Sequence, residues 1–184
     1  MTTYWRLRRA WTAMMKERVI DFFKDEMPVG DALFGICDDE DEAAKTPAYV
    51  DADAKHKEEW TAVVTNRSGK IISFIAVDNK IEIRRENGQM ENRCDAMLHN
   101  DEYIIFIELK DQNKDWIKHA VEDQLATTIN VFKQWHDISL FKHKLAYACN
   151  KRHRRFAFSN KEDMQRFRNQ HGVRLNIGCD IMIK

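Results

Sequence analysis

Two neighbouring stretches decide how this chain reads: Arg93-Cys94-Asp95-Ala96-Met97-Leu98, and Ile104-Ile105-Phe106-Ile107-Glu108-Leu109-Lys110. The second is a strand in which Ile105, Ile107 and Leu109 point one way, while Ile104 and Phe106 point the other. A strand apolar on both faces is expected to be central and buried. Glu108 and Lys110 continue the face of Ile104 and Phe106, where a charge is costly unless it meets an opposite charge, a metal or a ligand. With Asn100-Asp101 as the hairpin turn, His99 faces Glu102, which sets Asp95 opposite Phe106 and diagonal to Glu108. Two carboxylates and one ammonium then share a face.

Working outward, β-branched runs at 61–66, 71–77 and 80–85 read as strands, separated by Ser68-Gly69 and Asp78-Asn79. Asn87-Gly88 is a further turn before the hairpin of 91–98 with 103–110. From 114 to 136 the period becomes helical, with Ile117, Ala120, Val121, Gln124, Leu125, Thr128, Phe132 and Trp135 on one side. A strand at 144–149, a helix at 161–171 stopped by Gly172, and a final strand at 173–177 complete the order. At the front, Trp11, Met14, Met15, Val19, Phe22 and Phe23 form a helical stripe over 11–26, ended by Pro28. The stretch 28–60 holds both prolines and Gly30 and Gly35, and reads as an acidic insertion free to move, a loop or a short extra helix. This is an α/β pattern with a mixed sheet flanked by helices, one domain over 1–184 with its core at about 61–150.

A length of 184 residues with 43% hydrophobic content suits one ordinary globular domain. Lys plus Arg equals Asp plus Glu, 30 of each, so the chain does not grip nucleic acid by bulk charge as a histone does. The charge is nevertheless segregated. Residues 21–59 carry thirteen acids against four lysines, and 151–174 carry eight basic residues against two acids. The longest uncharged apolar stretch, 71–77, is far short of the roughly 20 residues that span a bilayer. Arg6, Arg8 and Arg9 lack the apolar run of a secretory signal behind them, so a cytoplasmic protein is expected. The cysteines at 37, 94, 149 and 179 have no zinc-ligand spacing; Cys94 and Cys149 read as small buried apolar groups.

The face shared by Asp95, Glu108 and Lys110 suits phosphoryl chemistry. Two carboxylates, the Leu109 carbonyl and waters can hold Mg²⁺, which prefers six hard oxygen ligands. Lys110 can orient the attacking water or offset charge building on the phosphate. The competing reading is a buried acid–lysine pair that only holds the sheet together. No GxSxG, P-loop or GxGxxG pattern is present, and His99-Asn100 falls in a hairpin turn rather than before an HNH metal-binding helix.

Asp95, twelve residues, then Glu108-Leu109-Lys110 on a strand followed by a helix resembles the PD-(D/E)xK nuclease superfamily, over roughly 61–149. The resemblance implies a restriction-endonuclease-like fold and a magnesium-dependent DNA nuclease, with Mn²⁺ able to substitute. It makes Asp95 and Glu108 metal ligands and Lys110 the catalytic lysine. Cys94 stands where the motif often has proline. Gln124 matches the glutamine that some members place on the following helix, whereas Thr128 departs from the tyrosine of the exonuclease branch. Glu17 is the candidate for a first-helix glutamate, with Arg18 beside it on the stripe. Lys151, Arg152, Arg154 and Arg155, joined by Arg166 and Arg168, could line a phosphate track, while Phe156 and Phe158 read as strand core. Such nucleases serve prokaryotic repair, restriction or phage defence, which implies a homodimer or a partner protein supplying specificity. A catalytically inactive subunit that binds nucleic acid or a protein is the alternative class.

Overall fold

The computed structural model describes residues 19–38, 45–85, 87–154 and 161–184. The expected central strand is β7 (Tyr103–Lys110), with seven of its eight residues buried. It lies inside a six-stranded mixed sheet of order β1-β5-β6-β7-β8-β9. Its neighbours are β1 (Met27–Val29), β5 (Ile72–Ala76), β6 (Ala96–His99), β8 (His143–Asn150) and β9 (Arg174–Ile177). The first four strands of that order pair antiparallel, and β8 and β9 follow β7 in parallel. A second mixed sheet has the order β10-β4-β2-β3, from β10 (Asp180–Ile183), β4 (Ala62–Asn66), β2 (Leu33–Cys37) and β3 (Tyr49–Asp51).

The two faces of β7 separate two cores. Ile105, Ile107 and Leu109 pack with Leu98, Phe74, Phe34, Val64 and Ile181 between the sheets. Ile104 and Phe106 meet Trp116, Leu125, Ile129, Phe132 and Phe167 from the helices. Each such side chain, fully withdrawn from water, stabilises the fold by roughly 1.5–3 kcal/mol. The helix between β7 and β8 runs through three consecutive pieces: α1 (Trp116–Lys118), a π-helical segment (His119–Leu125) and α2 (Ala126–Trp135). The last helix, α3 (Lys161–His171), ends where Gly172 turns to φ +64° and donates to the Arg168 carbonyl at 2.8 Å.

Several expectations are corrected. Of the helix expected at 11–26, residues 11–18 lie outside the described residues, as do Glu17 and Arg18; the described part is no helix. Residues 22–25 form a turn, with Asp21 Oδ1 accepting from Phe23 N at 3.0 Å, and the chain then enters β1. Pro28 is a strand residue here, tolerated because β1 is an edge that can spare an N–H.

The stretch 28–60, read as a loop or a short extra helix, holds a short 3₁₀ helix at Ala54–His56 but also supplies β1, β2 and β3, with β2 inside the smaller sheet; its acidic run at 39–42 lies outside the described residues. Gly35 marks the reason: a Cβ there would fall 2.1 Å from Trp60 Cγ, so an indole lies directly on this strand. Its short strands gave too little alternation to read. Residues 80–85 form no strand beyond a bridge between Arg84 and Met90. The Ile81 amide turns back to the Val77 carbonyl at 2.9 Å, which satisfies the alternating pattern by packing Ile81 and Ile83 as a loop. The 173–177 strand is not the last, because β10 follows it and pairs in parallel with β4. Among the described residues no helix is long and apolar enough to cross a membrane. The architecture is α/β, with helices on one face of the larger sheet and the second sheet on the other.

Candidate active site

The hairpin register differs from the expected one by two residues. His99 faces Ile104 and Ala96 faces Ile107, the last pair of the ladder, and Asp95 lies one residue beyond it. A two-residue slip keeps every side chain on its face, so the strand charges stay on the expected side. The Asp95 amide donates to the Ile107 carbonyl at 3.1 Å, and the Leu109 amide donates to Asp95 Oδ2 at 2.6 Å. Lys110 Nζ lies 2.5 Å from Glu108 Oε1. Glu108 is fully buried and Asp95 nearly so, at 7% exposure.

This burial controls protonation. It pushes the Asp95 carboxyl up to about 7, against the pull of the Leu109 amide and the Lys110 charge. Glu108 is raised well above the usual carboxylate range, first by burial and then by the charge of Asp95, with Lys110 opposing. For Lys110, burial alone favours the neutral amine, but Glu108 and Asp95 together outweigh it and hold the ammonium.

A cavity of about 610 Å³ opens over these groups, with Asp95, Leu109, Lys110 and Gln124 on its wall. Gln124 is half-buried on the π-helical segment, an irregularity that occurs often at functional sites. Of the expected phosphate track, Lys151 and Arg152 reach this cavity. Arg152 Nε pairs with Asp111, and its amide is held by Asn150 Oδ1 at 3.0 Å. Arg154 does not belong to the track: its Nη2 donates to the Glu58 and Trp60 carbonyls at 2.8 and 2.6 Å. Arg155, Phe156 and Phe158 lie outside the described residues. Arg166 pairs with Asp163 on α3 and faces a separate groove. Cys94 and Cys149 are buried free thiols, as expected.

Sequence reasoning missed two supports. Thr128, read only as a departure from tyrosine, is fully buried. Its Oγ1 accepts from the Cys94 amide at 2.7 Å and donates to the Gln124 carbonyl at 2.9 Å, so one hydroxyl ties the residue before Asp95 to the residue expected on the helix. Its place on the inward helical stripe was a signal. Asp78, read only as a turn residue, lines the cavity and is held at 2.7 Å by Arg93 Nη2.

The donor set suits a hard divalent cation. Both Glu108 oxygens are buried, and Lys110 Nζ lies against Oε1 as an ion pair. Two buried acids, Asp95 and Glu108, thus share the Lys110 ammonium, an arrangement that can take a further cation. Among the described residues no group of three or more His, Cys, Asp or Glu side chains forms a metal site. Asp95 and Glu108 could supply two protein ligands to such an ion, with the Leu109 carbonyl and water completing a shell of the kind Mg²⁺ accepts. No protein-family model, no curated protein and no solved structure matches this chain.

Proposed function

We propose that this chain is a divalent-metal-dependent nuclease of the PD-(D/E)xK type, with a restriction-endonuclease-like core, that hydrolyses DNA phosphodiester bonds. One observation carries the reading: Asp95, Glu108 and Lys110 come together beneath a polar cavity, with the Glu108 carboxylate buried and paired to Lys110. The strand that carries Glu108 and Lys110 is followed by a helix leading into parallel β8, which supports the reading because the resemblance expects that strand to be followed by a helix.

Asp95 and Glu108, with the Leu109 carbonyl, would hold Mg²⁺ or Mn²⁺, which supplies Lewis-acid stabilisation of charge on the phosphate. Lys110 stays an ammonium beside Glu108, so it serves as a charge and proton donor near the reacting phosphate. Gln124 offers an amide to orient water or a phosphate oxygen from the helix side. Lys151 and Arg152 at the cavity wall can steady flanking phosphates.

Divalent-cation calorimetry on the wild type and Asp95→Ala tests this reading. The wild type should bind Mn²⁺, and Asp95→Ala should bind at least tenfold more weakly. A wild type that binds no divalent cation would overturn the nuclease reading and leave the non-catalytic subunit as the better account.

A further inference from the structure

We infer that the site takes a single strand of DNA rather than intact duplex; this rests on the nuclease reading above and names its substrate. The reacting groups lie deep. Glu108 has no exposed surface, Asp95 is 7% exposed, and the Lys110 side chain is 17% exposed. A scissile phosphate must therefore descend below the surrounding wall to reach them.

That wall comes from separate elements. Thr46 and Thr61 rise from the segments preceding β3 and β4, Asn79 from the turn after β5, Gln112 from the loop after β7, and Gln124 from the helix. The volume of this half-open cavity, about 610 Å³, falls within the roughly 300–1,000 Å³ that holds a small-molecule-sized ligand. One or two nucleotides fit that description. Duplex DNA is stiff over about 150 base pairs, and its major groove alone is about 12 Å wide. Lowering one of its phosphates to Glu108 would drive the paired strand against the wall. A single strand turns freely about its backbone and has no such partner.

Charge points the same way. Among the described residues, the wall carries four carboxylates, Asp38, Asp78, Asp95 and Asp111, against four cations, Lys45, Lys110, Lys151 and Arg152. Proteins that track duplex neutralise many phosphates from a cationic groove. This balanced wall has cations for only a short piece of one backbone, beside Lys151 and Arg152.

The test uses the whole protein and one labelled oligonucleotide, offered alone and annealed to its complement. Cleavage is followed in Mn²⁺ at several salt concentrations, and binding by fluorescence anisotropy in Ca²⁺. The single strand should be cut at least tenfold faster and bound at least tenfold tighter. Its binding should fall with salt at a log–log slope of about −1, for one or two phosphate contacts at roughly 0.7 each. Duplex cut or bound as well as the single strand would overturn the inference while leaving the nuclease reading intact. Binding of neither form would also overturn it. Preferential binding of the single strand without cleavage would support the substrate assignment and end the catalytic reading instead.

Discussion

Two carboxylates and a lysine meet at each end of the β6–β7 hairpin, the lysine at the turn coming from the β4–β5 connection, and the two sets behave oppositely. At the turn, Lys70 Nζ lies 2.9 Å from Asp101 and 2.8 Å from Glu102, all substantially exposed. Hydrogen bonds from Lys70 hold both acids below their ordinary range. At the open end, Asp95 and Glu108 meet Lys110, and burial drives both acids upward despite that cation. The turn set has a second, more distant cation, Lys142 at 3.9 Å from Glu102, but the larger difference is the solvent. An exposed triad settles its own electrostatics with help from water. A buried one with two acids and a single cation remains short of positive charge, the condition under which a metal or a proton is recruited.

The largest effect that could break this contrast is on turnover. Lys110→Met should leave a folded protein that cuts DNA oligonucleotides 10² to 10⁴-fold more slowly, by roughly the weight of a lost charge stabiliser or proton donor. Lys70→Met should leave cleavage unchanged and the melting temperature little altered, since its pairs are exposed. Equal cleavage by Lys110→Met and the wild type would remove Lys110 from the chemistry and make the two triads equivalent.

A smaller effect concerns stability against pH. The Asp95 carboxyl titrates near 7 in the fold and about 3.9 when unfolded, so the folded state holds its proton more tightly. An acid raised in this way favours the fold most below about pH 4. That stability declines as pH rises towards 7 and is gone above it. The metal-free wild type should accordingly melt lower at pH 8 than at pH 5. Asp95→Asn keeps an oxygen for the Leu109 amide and should be more stable than the wild type at pH 8, by about 1–3 kcal/mol. Thermal melts across that range decide it; identical pH profiles for the two proteins would mean that Asp95 is well solvated, like Asp101.

The smallest effect separates the ends by their supports. Only the buried triad is tied to a helix, through Thr128. Thr128→Val should cost about 1 kcal/mol by leaving the Cys94 amide without its acceptor, and weaken Mn²⁺ binding by about tenfold. Thr128→Ser should restore the affinity. Valine binding Mn²⁺ as tightly as threonine would reduce the tether to packing.

Alternation along 103–110 was sufficient to identify a central strand and to put Glu108 and Lys110 on one face, because side chains repeat every two residues. The same period protected the placement of Asp95 from an error in the turn, where the true register differs by two. The long helix was legible from its apolar stripe, but its π-helical stretch was not, since the same apolar positions serve either winding. What the sequence determined by itself was therefore the face on which the charges meet. Tertiary structure decided the rest: that β2, β3 and β10 join β4 in a second sheet over the opposite face, that Arg154 is spent on the Glu58 and Trp60 carbonyls, and that Asp95 and Glu108 are buried. Those outcomes depend on contacts between segments far apart in the chain, which local periodicity does not carry, and the lost hydration they impose distinguishes the two ends of the hairpin.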